Sequence, residues 1–89
     1  MASCQFSVYP LGPQDIDAVL SDVCAELEAT GLPYEVGTMS TLIEGEASEV
    51  FAALRRAFAA AANYGGTVLT ATVSNSCPLR FPSTSQRVQ

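Results

Sequence analysis

The chain has 89 residues, 48% of them hydrophobic and 15% charged, the balance of one domain folding around a core and not of a disordered segment. Nine acidic residues against four arginines give a net charge of -5, and because Arg80 and Arg87 fall in the last ten residues, residues 1–79 carry -7. A surface of that sign repels a phosphate backbone, which disfavours nucleic acid as a partner and admits a cationic small molecule.

The segment Cys4-Gln5-Phe6-Ser7-Val8-Tyr9 alternates, with Cys4, Phe6 and Val8 on one face and Gln5, Ser7 and Tyr9 on the other. Period two predicts a strand with one buried face, stopped by Pro10, Gly12 and Pro13. From Asp15 onward Ile16, Val19, Leu20, Val23, Cys24 and Leu27 recur at helical spacing. Asp15 and Asp17 suit the positive end of the helix dipole, and Gly31 supplies a left-handed cap. Leu32 to Val36 reads as a short strand whose early proline places it at a sheet edge. Gly37 turns the chain into a return strand, Thr41-Leu42-Ile43-Glu44-Gly45. A second amphipathic helix follows, defined by Val50, Phe51, Leu54, Ala57, Phe58 and Ala61 and ended by Asn63, Gly65 and Gly66. The last strand covers Thr67 to Asn75, with Leu69, Ala71 and Val73 inward and Val68, Thr70, Thr72 and Ser74 outward.

Strand, helix, strand, strand, helix, strand is an α+β order. It predicts a ferredoxin-like βαββαβ sandwich, a four-stranded antiparallel sheet with two helices on one face. Residues 1–78 form that domain, and residues 79–89, polar and without periodicity, are expected to be a flexible tail. A chain this short buries roughly 60 to 65% of its unfolded surface, so a partner subunit is a natural supplement, and the edge strand at Leu32 to Val36 points to a homodimer.

Histidine is absent, which removes the commonest general base and zinc ligand together with Ser-His-Asp and Cys-His nucleophilic schemes. No enzyme activity, no metal and no cofactor are expected. Cys4, Cys24 and Cys77 are odd in number and widely spaced, each expected to be a reduced small hydrophobe. The amino-terminal residues lack a basic patch leading into an apolar block, and the longest apolar run, Ala57 to Ala62, is too short to cross a bilayer. The expected location is cytoplasmic, without membrane insertion.

With both helices on one side, the opposite face carries Gln5, Ser7 and Tyr9 beside Thr70, Thr72 and Ser74, since the first and last strands are neighbours in this fold. Small hydroxyls, an amide and one aromatic ring suit hydrogen bonding to a ligand under a cover. The other reading is a solvated sheet whose threonines serve strand propensity. Glu44, opposite in direction to Ile43, points to that face, either to accept from an exocyclic amine or simply into water. Tyr9 offers a ring face to an organic cation, or packs at the sheet edge. Arg55 and Arg56 are expected to face solvent or pair with acids such as Glu49 and Glu26.

Cys-Gln-Phe-Ser-Val-Tyr-Pro-Leu at 4 to 11, Ser-Thr-Leu-Ile-Glu-Gly-Glu at 40 to 46, Val-Phe at 50 and 51 and Val-Ser-Asn-Ser-Cys-Pro at 73 to 78 resemble the YkoF family of thiamine- and hydroxymethylpyrimidine-binding proteins. The resemblance implies a non-enzymatic binder of the pyrimidine portion of vitamin B1, acting in its uptake or salvage, with thiamine or hydroxymethylpyrimidine as ligand. YkoF resembles two such domains in tandem, so a homodimer would supply here what the tandem supplies there. Ligand positions implied by the motifs are Ser7 and Tyr9, Thr41 and Glu44, and Ser74, Asn75 and Ser76. Thr72 joins them from the open face. The competing readings are a small-molecule sensor domain of ferredoxin-like fold, which normally hangs on a larger protein, and an enzyme of the dimeric α/β-barrel type, which the missing histidine disfavours. An acylphosphatase would want an arginine in a phosphate-cradling loop near the first strand, and none is there.

Overall fold

Alternation along the first strand sends Ala2, Cys4 and Phe6 into the core and leaves Gln5 and Tyr9 exposed. The strand, β1, spans Ala2–Pro10 in a computed structural model that describes residues 1–12, 15–37 and 40–76. It is followed by α1 (Ile16–Thr30), β2 (Tyr34–Val36), β3 (Thr41–Gly45), α2 (Ala47–Ala62) and β4 (Thr67–Ser74). The four strands form one antiparallel sheet in the order β2-β3-β1-β4. This is the ferredoxin-like α+β arrangement, with β1 and β4 adjacent and the Pro33-preceded β2 at an edge. Residues 77–89, and with them Cys77 and the tail, lie outside the described residues.

Helix α1 begins where the Asp15 carboxylate accepts from the Ala18 N–H at 3.1 Å, satisfying one of the first-turn donors. It ends at Gly31, whose φ of 74° is left-handed, with the Gly31 N–H donating to the Glu28 carbonyl at 3.2 Å. Its buried stripe is Val19, Val23 and Leu27. Ile16 and Leu20 do not join it: they are 45% and 44% exposed. The cause is the sheet beneath them. Strand β3 pairs with β1 only from Ala2 to Phe6, so the first turns of α1 overhang a part of β1 that has β4 alone as neighbour.

Helix α2 starts before Val50, because the Glu49 carboxylate folds back to accept from the Glu46 N–H at 3.1 Å. The stripe Val50, Ala53, Leu54, Ala57, Ala60 and Ala61 is buried, and its small alanines let the helix approach its neighbours closely. Phe51 and Phe58, expected in that stripe, are 57% and 43% exposed. At 100° per residue they lie on the flank of α2 away from Arg56, and Arg56 faces α1 through its 3.0 Å ion pair with Glu26. Among the described residues no helix covers that flank. Ala71 is likewise exposed, where an inward position was expected. Its methyl is too short to reach the helix layer that Leu69 and Val73, on the same side of β4, pack against.

The core is therefore the inner face of β1 and β3 against both helices, with Leu27, Ile43, Val19, Val50 and Cys4 almost wholly enclosed. Burial pushes the Cys4 thiol up to about 11, which keeps it neutral and inert. The turn after α2 is tied to α1 by the Tyr64 hydroxyl, which donates to the Asp22 carboxylate.

Candidate functional site

Strand register sorts the outer face of the sheet into transverse rows. Ser3 of β1 stands opposite both Glu44 of β3 and Ser74 of β4, giving the row Glu44–Ser3–Ser74. The next row is Glu35, Leu42, Gln5 and Thr72, followed by Ser7 with Thr70 and Tyr9 with Val68. The polar open face is thus present and Glu44 does point onto it. Its members differ in access: Ser3 is 5% exposed, Glu44 and Ser74 are half-buried, and Thr70 and Thr72 are exposed.

A second feature lies at the far end of β1. Beyond Phe6 the strand is paired with β4 alone, and the space left by the shorter β3 is a cleft of about 290 Å³. Four consecutive residues of β1, Phe6 to Tyr9, line it. Since neighbours in a strand point to opposite faces, the cleft runs along the edge of β1 and not beneath one face. Its walls are Val8, Leu20, Val23, Cys24, Leu27 and Val36, and its polar rim is Ser7, Ser40 and Thr41. The β2–β3 turn closes one side, fixed by the Gly37 N–H donating to the Ser40 carbonyl at 2.8 Å. Tyr9, 51% exposed, stands at the mouth. No carboxylate and no arginine is among the described residues that line it.

The eight positions singled out from sequence therefore fall into separate places. Ser7, Tyr9 and Thr41 come together at the cleft. Glu44 and Ser74 share one row of the open face, Thr72 sits in the next row, and Asn75 and Ser76 follow the end of β4. There the Ser76 N–H donates to the Ser74 hydroxyl at 3.0 Å and the Ser76 hydroxyl to Asn75 Oδ1 at 3.1 Å, so these side chains organise the turn after the strand. Leu20, Cys24, Val36, Gly37 and Ser40 were not anticipated. The available signal was length: a first strand running to Tyr9 outlasts a five-residue partner, and helix residues over the difference have no strand to cover.

Among the described residues no group of histidines, cysteines and carboxylates is placed to hold a metal ion, and no helix is long and apolar enough to cross a membrane.

Residues 4–74 match the model of the thiamine-binding protein family, and the chain belongs to that family. No curated protein matches. Among solved structures, a Streptococcus pneumoniae protein superposes with a TM-score of 0.80 at 26% identity, covering 97% of this chain and 98% of that one. A Bacillus cereus domain of unknown function, DUF77, gives 0.78 at 23% identity, over 98% of this chain and 86% of that one. A Thermotoga maritima protein, a candidate for thiamine biosynthesis or salvage, gives 0.71 at 17% identity, over 99% of this chain and 98% of that one. The last two speak to the fold alone.

Proposed function

We propose that this protein binds thiamine or its hydroxymethylpyrimidine precursor without converting it, in the uptake or salvage of vitamin B1, and that the pyrimidine ring enters the cleft beside β1. The observation that carries this reading is the cleft itself, in a chain of the thiamine-binding family. Its 290 Å³ suits one flat heteroaromatic ring better than a larger ligand. Aliphatic walls from Val8, Leu20 and Val23 take the ring faces, while Ser7, Ser40 and Thr41 offer hydroxyls that both donate and accept. An aminopyrimidine needs that mixture, having a donor amine beside acceptor ring nitrogens. Tyr9 at the mouth is placed to meet the thiazolium cation of intact thiamine with its ring face, and the acidic surface favours the same charge.

What lines the cleft supports binding without chemistry. General acid–base catalysis needs a proton-transferring side chain within hydrogen-bond reach of the reacting atom. Among the described lining residues there is no carboxylate, lysine or histidine to serve as such a group. A homodimer in the cytoplasm, needing no cofactor, completes the proposal. The uncovered flank with Phe51 and Phe58 beside the edge strand β4 supports the association.

Calorimetric titration of the full chain with thiamine, hydroxymethylpyrimidine and unrelated amino acids tests the reading. Saturable heat with the first two alone, lost in a folded Cys24→Phe variant whose new ring fills the cleft, is the expected result. Binding that survives Cys24→Phe and disappears in Glu44→Gln would instead place the ligand on the open face.

A further inference from the structure

Acids flank the cleft beside β1. On α1 the wall residues Leu20, Cys24 and Leu27 share their helix face with Asp17, one turn before Leu20, and Glu28, one turn after Cys24. At 100° per residue both carboxylates fall within about 40° of the Cys24 direction. Glu28 is held on that flank by the Tyr34 hydroxyl of β2, which donates to it at 2.9 Å. Asp17 is exposed in the first turn of α1. Because only residues 11–15 separate the end of β1 from the start of α1, Asp17 and Tyr9 stand at the same end of the cleft, its mouth. The seat that a helix start offers an anion is already taken at α1, where the Ala18 N–H donates to the Asp15 carboxylate at 3.1 Å. The described arginines, Arg55 and Arg56, lie on α2, and Arg56 pairs with Glu26 in the groove between the helices. We infer that the cleft selects by the charge on the methylene of the pyrimidine ring. A cation or a neutral hydroxyl is admitted there, a phosphate ester is rejected, and Asp17 is the acid that sets the choice. The inference rests on the ligand site proposed above.

The compounds at issue differ at that one carbon. In thiamine it bears the thiazolium cation, in the precursor a hydroxyl, and in the precursor's phosphate ester about two negative charges at neutral pH. With the ring between Val8, Leu20 and Val23, the substituent emerges at the mouth beside Tyr9 and Asp17. One carboxylate there attracts the cation and repels the dianion, through water that screens both over roughly 8 Å. The ester also gives up part of its hydration on entry, with no arginine among the described lining residues to replace it. A phosphotransferase acting on the hydroxymethyl group therefore turns a held compound into a released one.

Calorimetric titration of the full chain with thiamine, hydroxymethylpyrimidine and hydroxymethylpyrimidine phosphate tests the selection. The ester is expected to bind about ten-fold more weakly than the alcohol, a gap that narrows as salt is raised. Asp17→Asn is expected to improve the ester about three-fold against the alcohol, the size of one screened repulsion. Glu49→Gln removes the same charge at the start of α2, beside the Gly45–Ala2 pair at the opposite end of β1 from the cleft. Its amide keeps an acceptor for the Glu46 N–H, and the ratio is expected to stay as it was. Equal affinities for alcohol and ester in the parent protein would overturn the inference and leave the ligand site standing. Equal gains from the two variants would also overturn it, reducing the selection to net charge. Saturable heat with none of the three compounds would remove the ligand site, and the inference with it.

Discussion

Leu32 lies over Gly45 so closely that a Cβ on the glycine would come within 2.9 Å of Leu32 Cδ2. This contact joins the lead into β2 to the end of β3, where the chain turns into α2 through the Glu46 cap. The glycine is there for close approach. Gly45→Ala is expected to cost about 1 kcal/mol, the low end for overpacking because the obstructing atom is the tip of a side chain that can rotate. Urea denaturation measures it, and Leu32→Ala in the same chain should recover part of the loss. Full additivity of the two changes would show that the contact does not cause it.

Cys4 predicts a pH dependence with a definite sign. Its thiol is raised from 9.0 to about 11 in the folded state by burial, so between those values the native protein holds a proton that the unfolded chain has released. The associated stability is complete below pH 9 and is lost as the pH rises towards 11, by roughly 2 to 3 kcal/mol. Tyr34 and Tyr64, raised by hydrogen bonds to Glu28 and Asp22, act in the same direction. Denaturation midpoints from pH 8 to 10.5 should fall, and fall less steeply in Cys4→Ala. An identical slope in that variant would remove Cys4 from the account.

The ion pair between Arg56 and Glu26 is 3.0 Å long, with side chains 46% and 41% exposed. Solvent screening limits such a pair to about 0 to 1 kcal/mol. A double-mutant cycle with Glu26→Gln and Arg56→Gln should give a coupling in that range that shrinks in 1 M salt. A salt-independent coupling would mean that the pair is held by packing and not by charge.

Phe51 and Phe58 give a prediction about assembly. Replacing both by serine should leave monomer stability within about 0.5 kcal/mol, because exposed side chains contribute little to it, while shifting the protein from dimer to monomer in light scattering. A dimer that persists in the double variant would place the interface elsewhere.

Much of this fold could be read in the order of apolar residues, because both periodicities are clean: Cys4, Phe6 and Val8 alternate, and Val19, Val23 and Leu27 repeat every four. The left-handed cap at Gly31 was equally legible, whereas Asp15 reads as a charge suited to the helix dipole and not as the side-chain cap it forms. The capping box at Glu46 and Glu49 was not legible, since a glutamate at the first position departs from the usual serine or threonine. Periodicity also overstated burial. It places Ile16, Leu20, Phe51 and Phe58 on apolar stripes but carries no information on whether another element lies opposite, and strand β3 stops short while no described element covers the flank of α2 away from α1. The site suffered the same gap. Alternation correctly put Glu44 on the open face, yet the cleft that gathers Ser7, Tyr9 and Thr41 exists only because two paired strands differ in length.

The account rests on the cleft beside β1 as the thiamine site, and an amide-resolved NMR titration with thiamine tests it most directly. Saturable shifts are predicted for Ser7, Val8, Tyr9, Cys24, Gly37 and Thr41, with those of Tyr9 weaker for hydroxymethylpyrimidine, which lacks the cation that the ring would hold by about 1 kcal/mol. Shifts confined to Ser3, Gln5, Thr72 and Ser74, or none at millimolar ligand, would contradict it.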